Sequence, residues 1–352
     1  MRDTLPIFDG HNDVLLRLAQ GEPAERSSFL ERSQNGHLDL PRAVEGGFAG
    51  GMFAIFVPSK RKSGPPPAGQ TGQGYDVPLP EPPELAEAQR VTLAMAANLY
   101  RIEAASKGAL KVVRNPGEMR RCFADGRLAA VMHIEGAEAI DPELDMLEVL
   151  YQAGLRSLGI VWSRANHFGH GVPFRYPSSP DIGPGLSEAG ERLVKACNQL
   201  GILIDVSHLN EKGFWDVVRI SDKPIVATHS NVHALCPVSR NLTDDQLRAI
   251  RDSNGMVGVN FAVGFLRPDG KNEADTPLET VVDHVNYLIE HLGEDGVGFG
   301  SDFDGATMPA ELGDVAGLPR LVAALRQHHD EAMLQKLGTG NWLRILETTW
   351  RA

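Results

Sequence analysis

Cysteine is scarce in this 352-residue sequence, and its three cysteines form no pattern. Cys122, Cys197 and Cys236 are odd in number and widely separated, which fits reduced thiols. The spacing excludes a disulfide framework and also the Cys-X-X-Cys pairs that hold a metal through sulfur. If this protein binds zinc, nitrogen and oxygen atoms must hold the ion.

Long hydrophobic runs are also absent. No stretch approaches the roughly 20 apolar residues that a membrane-spanning helix needs. The first residues, MRDTLPIFDGHND, lack the basic and then apolar segments of a secretory signal, and the last, RILETTWRA, lack a lipidation motif or anchor. We therefore expect a soluble, cytoplasmic protein that does not contact a membrane.

Positive charge is in deficit. The sequence has 34 Lys and Arg against 46 Asp and Glu, a net charge of -12, which argues against a nucleic-acid partner because phosphate backbones attract clustered positive charge. The composition, 42% hydrophobic and 23% charged, is that of a globular protein with a large core. A chain of this length can form one barrel, so we expect a single domain over residues 1–352.

Eight short apolar runs recur along the chain, and amphipathic stretches separate them. This alternation indicates parallel βαβ units. The predicted strands are Leu5–Asp13, Phe48–Val57, Ala129–Glu135, Ser157–Trp162, Ile202–His208, Ile225–His229, Met256–Phe261 and Val297–Asp302. The intervening helices include Glu84–Ser106, Pro142–Ala153, Glu188–Leu200, Asp244–Asp252 and Leu278–Leu292, with Ser187, Thr243 and Thr276 as capping residues.

Two α/β architectures fit eight such units, a closed barrel and an open doubly wound sheet. The open sheet usually carries a GxGxxG phosphate loop after its first strand, but here that strand ends in DGHND at Asp9–Asp13. We therefore predict a (β/α)₈ TIM-type barrel with a site at the carboxyl ends of the strands.

A Pro- and Gly-rich insertion at about 58–84 follows the second predicted strand. Its composition predicts no regular structure. The insertion is either a lid or subsite wall over the site, or a surface excursion that could lie at a subunit contact in a homodimer.

Ionisable residues gather at the carboxyl ends of the predicted strands, which is the catalytic face of a barrel. They are His11, Asp13, Glu135, His208, His229 and Asp302. Imidazoles and carboxylates without thiolates suit zinc, although iron or manganese stays open. Glu135 has two oxygens and could bridge two ions roughly 3.5–4 Å apart, with His11 and Asp13 on one ion and His208 and His229 on the other.

Taken singly, each of these residues has a structural interpretation. Asp13 could cap a helix, and a histidine in a strand usually satisfies a core hydrogen bond. Taken together, they would crowd one pocket at a cost of several kcal/mol unless a metal neutralised them. We expect His133 to have a packing role, with support of a metal ligand as the alternative. We predict that five histidines in loops or helices, His37, His284, His291, His328 and His329, are solvated.

The sequence resembles the membrane dipeptidase (renal dipeptidase) family of zinc peptidases, within the amidohydrolase-like barrels. The resemblance runs nearly end to end. It is carried by DGHND at Asp9–Asp13, HIEGAEAI around Glu135, GLSEAGERLVKACNQLGILIDVSH ending at His208, THS around His229, SRN around Arg240 and GFGSDFDG around Asp302.

The resemblance implies an activity and a role for each residue. It implies hydrolysis of a dipeptide by a metal-bound hydroxide at a dinuclear zinc centre that Glu135 bridges. Asp302 would accept the proton of the attacking water, and Arg240 would bind the terminal carboxylate of the substrate, as a planar guanidinium can do bidentately. Another small amide, such as a lactam or an N-acyl amino acid, is the alternative substrate, and a non-catalytic metal- or ligand-binding barrel is the alternative class.

The sequence departs from the family in two places. Members of the family carry a histidine at the end of the fourth strand that stabilises the tetrahedral intermediate, whereas this chain has Trp162 there. We hypothesise that His167 or His170, in the following loop, replaces that donor, against the alternative of a solvated loop. Cys236 lacks the partner it would have in secreted members, so neither that disulfide nor secretion carries over.

Overall fold

The fold rests on a closed ring of parallel strands. The computed structural model describes residues 4–20, 28–59, 70–71 and 74–351. Its strands are β1 (Ile7–Asn12), β2 (Phe48–Phe56), β3 (Gln70–Thr71), β4 (Gly74–Asp76), β5 (Leu110–Val112), β6 (Leu128–Glu135), β7 (Leu155–Gly159), β8 (Arg175–Tyr176), β9 (Leu203–Asp205), β10 (Val226–Ser230), β11 (Met256–Val259) and β12 (Val297–Phe299).

Eight of these strands form the barrel in the order β1, β2, β6, β7, β9, β10, β11 and β12, and β12 pairs with β1 to close it. The predicted (β/α)₈ barrel and all eight predicted strands are confirmed. The sheet also contains a ninth strand, β5, that the sequence analysis did not predict. It pairs with the first half of β6, whereas β7 pairs with the second half.

Helices connect and cover the strands. They are α1 (Val14–Ala19), α2 (Leu40–Glu45), α3 (Leu85–Ala105), α4 (Pro116–Asp125), α5 (Asp145–Ala153), α6 (Glu188–Leu200), α7 (Glu211–Ile220), α8 (Asp244–Asp252), α9 (Val263–Leu266), α10 (Leu278–Leu292), α11 (Leu318–Leu325), α12 (Glu331–Gln335) and α13 (Asn341–Thr349). No helix within the described ranges is long and apolar enough to cross a membrane.

Two of the three predicted helix caps are confirmed, and one is wrong. Ser187 accepts a hydrogen bond from the Gly190 amide, and Thr243 forms a capping box with Gln246. Thr276 was the wrong choice, because α10 begins after Pro277 and the Thr276 hydroxyl donates instead to the Glu273 carbonyl.

The insertion has more order than its composition predicted. Part of it, residues 60–69 and 72–73, lies outside the described residues. In the rest, β3 and β4 form an antiparallel sheet with β8, which belongs to the loop after β7. Asp76 of β4 also forms an ion pair with Arg175 of β8 at 2.7 Å. The prediction of no regular structure was therefore wrong for these two strands.

His284 is the one helical histidine whose environment clearly contradicts the prediction of solvation. It is buried, its Nδ1 accepts from the Val232 amide at 3.2 Å, and its Nε2 lies 3.0 Å from the Leu266 carbonyl. Burial lowers its pKa to about 4, so the ring is neutral and joins the segments that follow β10 and β11. The three cysteines form no disulfide, as predicted, and all three are buried.

Helix α13 closes the amino-terminal end of the barrel with Trp342. This side chain is fully buried and packs with apolar residues from several barrel strands, and its indole N–H donates to the Phe299 carbonyl at 3.0 Å. Glycine is required in the strands around it, since a Cβ on Gly10 would lie 2.4 Å from the Trp342 ring and one on Gly298 would lie 2.8 Å from it. One indole therefore fits against β1 and β12, where the barrel closes.

Replacing Trp342 should destabilise the whole barrel. We expect Trp342→Ala to lower the free energy of unfolding in urea by about 3–5 kcal/mol, because it leaves a large cavity and an unpaired carbonyl. The matched control is Trp215→Ala, at a tryptophan that is 38% exposed, which should change stability by less than about 1 kcal/mol. Equal stability of the two variants would contradict this role for Trp342.

Candidate metal centre

Three of the predicted ligands come from β1, β6 and the residue after β1, and β2 lies between the two strands. His11 lies within β1, and Glu135 is the last residue of β6. Asp13 follows β1 and occupies the N-cap position of α1, but its side chain makes no capping hydrogen bond. The Asp13 side chain therefore does not cap the helix, which was the alternative interpretation. Its carboxylate can face His11 instead.

The other predicted residues lie in or just after later strands. His229 lies within β10, whereas His208 and Asp302 come three residues after the ends of β9 and β12. The last two residues have left-handed backbones, with φ of 66° for His208 and 63° for Asp302. Non-glycine residues rarely adopt this conformation, and where they do the surrounding structure holds them, often at a functional site.

The three imidazoles converge on one oxygen of Glu135. Its Oε1 lies 3.0 Å from Nε2 of His208, 3.4 Å from Nε2 of His229 and 3.7 Å from Nε2 of His11. Two ligands of a tetrahedral zinc ion, each about 2.1 Å from the metal, lie about 3.4 Å apart. These donor-to-donor distances are thus those of a metal's ligand sphere.

Hydroxyl groups contact the Nδ1 atoms of two histidines. Nδ1 of His208 contacts the Ser163 hydroxyl at 2.8 Å, and Nδ1 of His229 contacts the Thr228 hydroxyl at 2.9 Å. The Thr228 hydroxyl donates its own proton to Asp205 at 2.6 Å, so it must accept from His229 Nδ1–H. Nε2 of His229 then presents a lone pair, and it lies 3.2 Å from Nε2 of His208. With both Nδ1 atoms held by hydroxyl groups, both Nε2 atoms face the same space and can bind a cation there.

The carboxylate side of the centre lies around His11. Its Nε2 is 3.4 Å from Asp13 Oδ2, and ligand atoms of His11, Asp13 and Asp302 all lie within 4.8 Å of one another. Ligand atoms of His11, Glu135 and His229 also all lie within 4.8 Å of one another. Among the described residues, neither ring nitrogen of His11 has a well-formed hydrogen bond, although both are buried.

Burial and mutual repulsion disturb the charges of this cluster. Burial raises the pKa of Glu135 to about 8 and that of Asp302 to about 6, and Asp13 adds to both shifts. Burial lowers the pKa values of His208 and His229 far below the usual value. A divalent cation would stabilise the ionised carboxylates and the neutral imidazoles together, so the donor set fits a metal.

Arg240 lies beside this cluster. Its guanidinium is buried and donates to the His229 carbonyl at 2.9 Å and to the Ser230 hydroxyl at 3.2 Å. It also lies 5.5 Å from the centre of the Phe265 ring. Within the described part of the chain it has no carboxylate partner, and its Nε–H is buried without an acceptor. A buried guanidinium with unused donors can bind an anionic group of a ligand.

Trp162 and its neighbours border the histidines. Its ring centre lies 4.9 Å from that of Phe56, 5.6 Å from that of Phe174 and 6.0 Å from that of His208. Phe174 stacks on Phe265 in turn, so aromatic rings lie between Trp162 and Arg240.

The loop histidines are placed differently from the cluster. His167 is exposed and His170 half-buried. Their backbone carbonyls accept hydrogen bonds from Ser187 and Asn210. Neither imidazole contacts the metal cluster in the described structure, and their proposed role stays a prediction.

Several residues of the site escaped the sequence analysis because they support ligands rather than act as ligands. Ser163, Thr228 and Asp205 position the histidines, and Asn260 donates to Asp302 Oδ2 at 3.0 Å. Thr228 and Asp205 do lie within the THS and DVSH motifs, so their place in those motifs was the available signal. His133 packs edge-on against His11, at 5.4 Å between ring centres, and whether it packs or supports His11 stays a prediction.

Comparisons with known proteins agree with this geometry. A family model described as membrane dipeptidase, peptidase family M19, matches residues 1–351. An uncharacterised protein in the pqqA 5′ region of Klebsiella pneumoniae is 54% identical over 254 residues, which are 72% of this chain and 94% of the relative.

Two solved structures are similar over the whole chain. A metallopeptidase from Rhodobacter sphaeroides, liganded with a phosphinate mimic of the dipeptide L-Ala-D-Ala, has a TM-score of 0.94 and 54% identity and covers 99% of this chain and 100% of its own. The dipeptidase AC, a metallopeptidase of family M19, has a TM-score of 0.93 and 55% identity with the same coverage. With its candidate metal ligands at the carboxyl ends of the barrel strands, the chain belongs to the membrane dipeptidase family, peptidase family M19, and is a metallo-dipeptidase.

Proposed function

We propose that this protein is a zinc-dependent dipeptidase with two zinc ions that share Glu135. His11 and Asp13 would complete the ligands of one ion, and His208 and His229 those of the other. The observation that carries the proposal is the convergence of three imidazole Nε2 atoms within 3.0–3.7 Å of one Glu135 oxygen. Two such ions supply a water of lowered pKa and a Lewis acid for the scissile carbonyl.

Asp302 is the proposed proton carrier. It lies with His11 and Asp13 at the cluster, where a carboxylate can accept a proton from the attacking water and return it to the leaving amine. Asn260 holds Oδ2 by a hydrogen bond, which leaves the other oxygen to take the proton. The same position could make Asp302 a metal ligand, and metal analysis separates the two roles.

Arg240 is the proposed partner of the substrate's terminal carboxylate. A buried guanidinium without a carboxylate partner among the described residues is costly, and a free carboxylate offsets that cost with bidentate hydrogen bonds. The ligand of the Rhodobacter sphaeroides enzyme, a phosphinate mimic of the dipeptide L-Ala-D-Ala, supports a dipeptide as substrate. Activity on free dipeptides but not on N-acylated ones would separate this function from hydrolysis of other small amides. The cytoplasmic location and a homodimer stay predictions.

The first test is the bridging role of Glu135. We expect the purified protein to hydrolyse free dipeptides, L-Ala-D-Ala among them, and to hold about two zinc ions per chain by metal analysis. Glu135→Gln should lose metal and activity together, because an amide is a much weaker bridging ligand. Glu143→Gln, the same change at an exposed glutamate, is the control and should keep both. One tightly bound ion with full activity would disprove the bridge.

The second test concerns Asp302. Asp302→Asn should keep both zinc ions and lower kcat by roughly 10²–10⁴, since an amide cannot accept the proton. Asp283→Asn, at an exposed position of α10, is the matched control. Loss of one zinc from the Asp302 variant would show that Asp302 is a metal ligand, and unchanged kcat would remove it from the mechanism.

The third test uses two forms of the substrate. Arg240→Ala should raise KM for free dipeptides by about 10- to 100-fold, because charge-assisted hydrogen bonds to the carboxylate are lost. KM for C-terminally amidated dipeptides should change little, and Arg240→Lys should give a smaller rise. Arg248→Ala, at an exposed arginine of α8, serves as control. An equal loss on free and amidated substrates would place Arg240 outside the carboxylate site.

A further inference from the structure

Trp162 is the exposed member of an otherwise buried segment beside the metal centre. Val161, Ser163 and Arg164 are at most 1% exposed, whereas Trp162 is half-buried. Its ring lies 6.0 Å from the His208 ring, and Phe56 and Phe174 contact it on other sides. The Trp162 indole therefore lies next to a histidine of the cluster and keeps part of its surface accessible.

The indole N–H of Trp162 is unused. Trp342 and Trp350 donate to the backbone carbonyls of Phe299 and Arg156, and Trp215 donates to Glu211. Trp162 has no acceptor among the residues that the structure describes, and its nitrogen is not one of the fully buried unpartnered atoms there. The one tryptophan beside the histidines is thus the one whose donor is open to a ligand.

A buried ion pair holds Trp162 in place. The fully buried Arg164 donates to Glu138 at 2.6 Å and to the Val57 carbonyl at 2.7 Å, and its guanidinium lies 5.5 Å from the centre of the Trp162 ring. On the other side of Trp162, Ser163 contacts Nδ1 of His208. The residues around Trp162 therefore fix both its own ring and a histidine of the centre, and such preorganisation lets a donor act without reorganisation cost.

We propose that Trp162 is a further catalytic residue, whose indole N–H donates a hydrogen bond to the oxygen of the scissile carbonyl as negative charge develops there. This inference rests on the proposed dipeptidase function. An indole donates without carrying charge, so its contribution is that of one neutral hydrogen bond in a site of restricted water. The role differs from that of an imidazolium, and it does not need the loop histidines.

The test compares Trp162→Phe with wild type. The variant keeps an aromatic ring and loses only the N–H and some ring area. We expect kcat on L-Ala-D-Ala to fall by about 10- to 100-fold, with KM and the zinc content nearly unchanged, because the donor acts mainly in the transition state. The affinity for a phosphinate mimic of that dipeptide should fall by about the same factor as kcat/KM. Phosphinate should change the tryptophan fluorescence of wild type, and this change should be absent from the variant.

Two controls make the result specific. Trp215→Phe, the same substitution at a surface tryptophan, should keep wild-type kinetics and the fluorescence response. The double variant His167→Ala, His170→Ala tests the alternative donors in the following loop. An unchanged kcat in Trp162→Phe, or a loss of kcat in the histidine double variant alone, would overturn the proposal.

Failure of the proposed function is distinguishable from failure of this inference. If zinc-loaded wild type cleaves no dipeptide, the dipeptidase proposal fails. The phosphinate experiment still reports on Trp162 in that case, because equal affinity and an equal fluorescence change in wild type and Trp162→Phe would show that the indole does not contact the ligand.

Discussion

Removing the Glu135 carboxylate from water is the constraint on which the active site depends. A buried carboxylate needs partners that compensate its lost hydration, and this one has three imidazoles within 3.0–3.7 Å instead of a lysine or arginine. Burial keeps two of them, His208 and His229, neutral, whereas Glu135 and Asp13 raise the pKa of His11 to about 10 against the effect of burial. One imidazolium cannot balance the carboxylates of Glu135, Asp13 and Asp302. A divalent cation satisfies all of these groups at once. The barrel brings them together because every one of its strands ends at the same face.

The two ends of the barrel have different roles: one contributes stability and the other carries the candidate metal centre. At the amino-terminal end, Trp342 and the apolar side chains around it supply a packed core that tolerates no added methyl group on the glycines beside it. At the carboxyl end, hydrogen bonds between polar side chains fix the candidate ligands. Asp205 accepts a hydrogen bond from the Thr228 hydroxyl, and that hydroxyl accepts one from His229. The left-handed backbone of His208 is sustained by the same surroundings. Rigid packing at one end makes precise placement at the other end possible.

Much of this arrangement could be predicted from the sequence, because it depends on periodicity and on one topological rule. Eight apolar runs predict the strands, and parallel strands must end together, so the six ionisable residues at their ends must meet. The parts that failed depend on contacts between distant segments. The partner of β4 lies about 100 residues away in β8, which no local composition reveals. His284 shares its helix face with Val281, Val285 and Leu288, a spacing that indicates a core position. The hydroxyl partners of His208 and His229 required coordinates, since serine and threonine are common everywhere.

The packing of Trp342 also joins the candidate metal centre to a distant part of the chain. The strand that carries His11, β1, has β12 as a neighbour and the indole of α13 as a cover, and both lie far from it in the sequence. Without them one edge of β1 and the adjoining glycine would be uncovered, and the candidate ligands of β1 and β10 would have no closed ring to hold them at their separation. The candidate metal centre therefore depends on closure of the whole barrel, so a chain without β12 and α13 should not hold the full set of ligands in place.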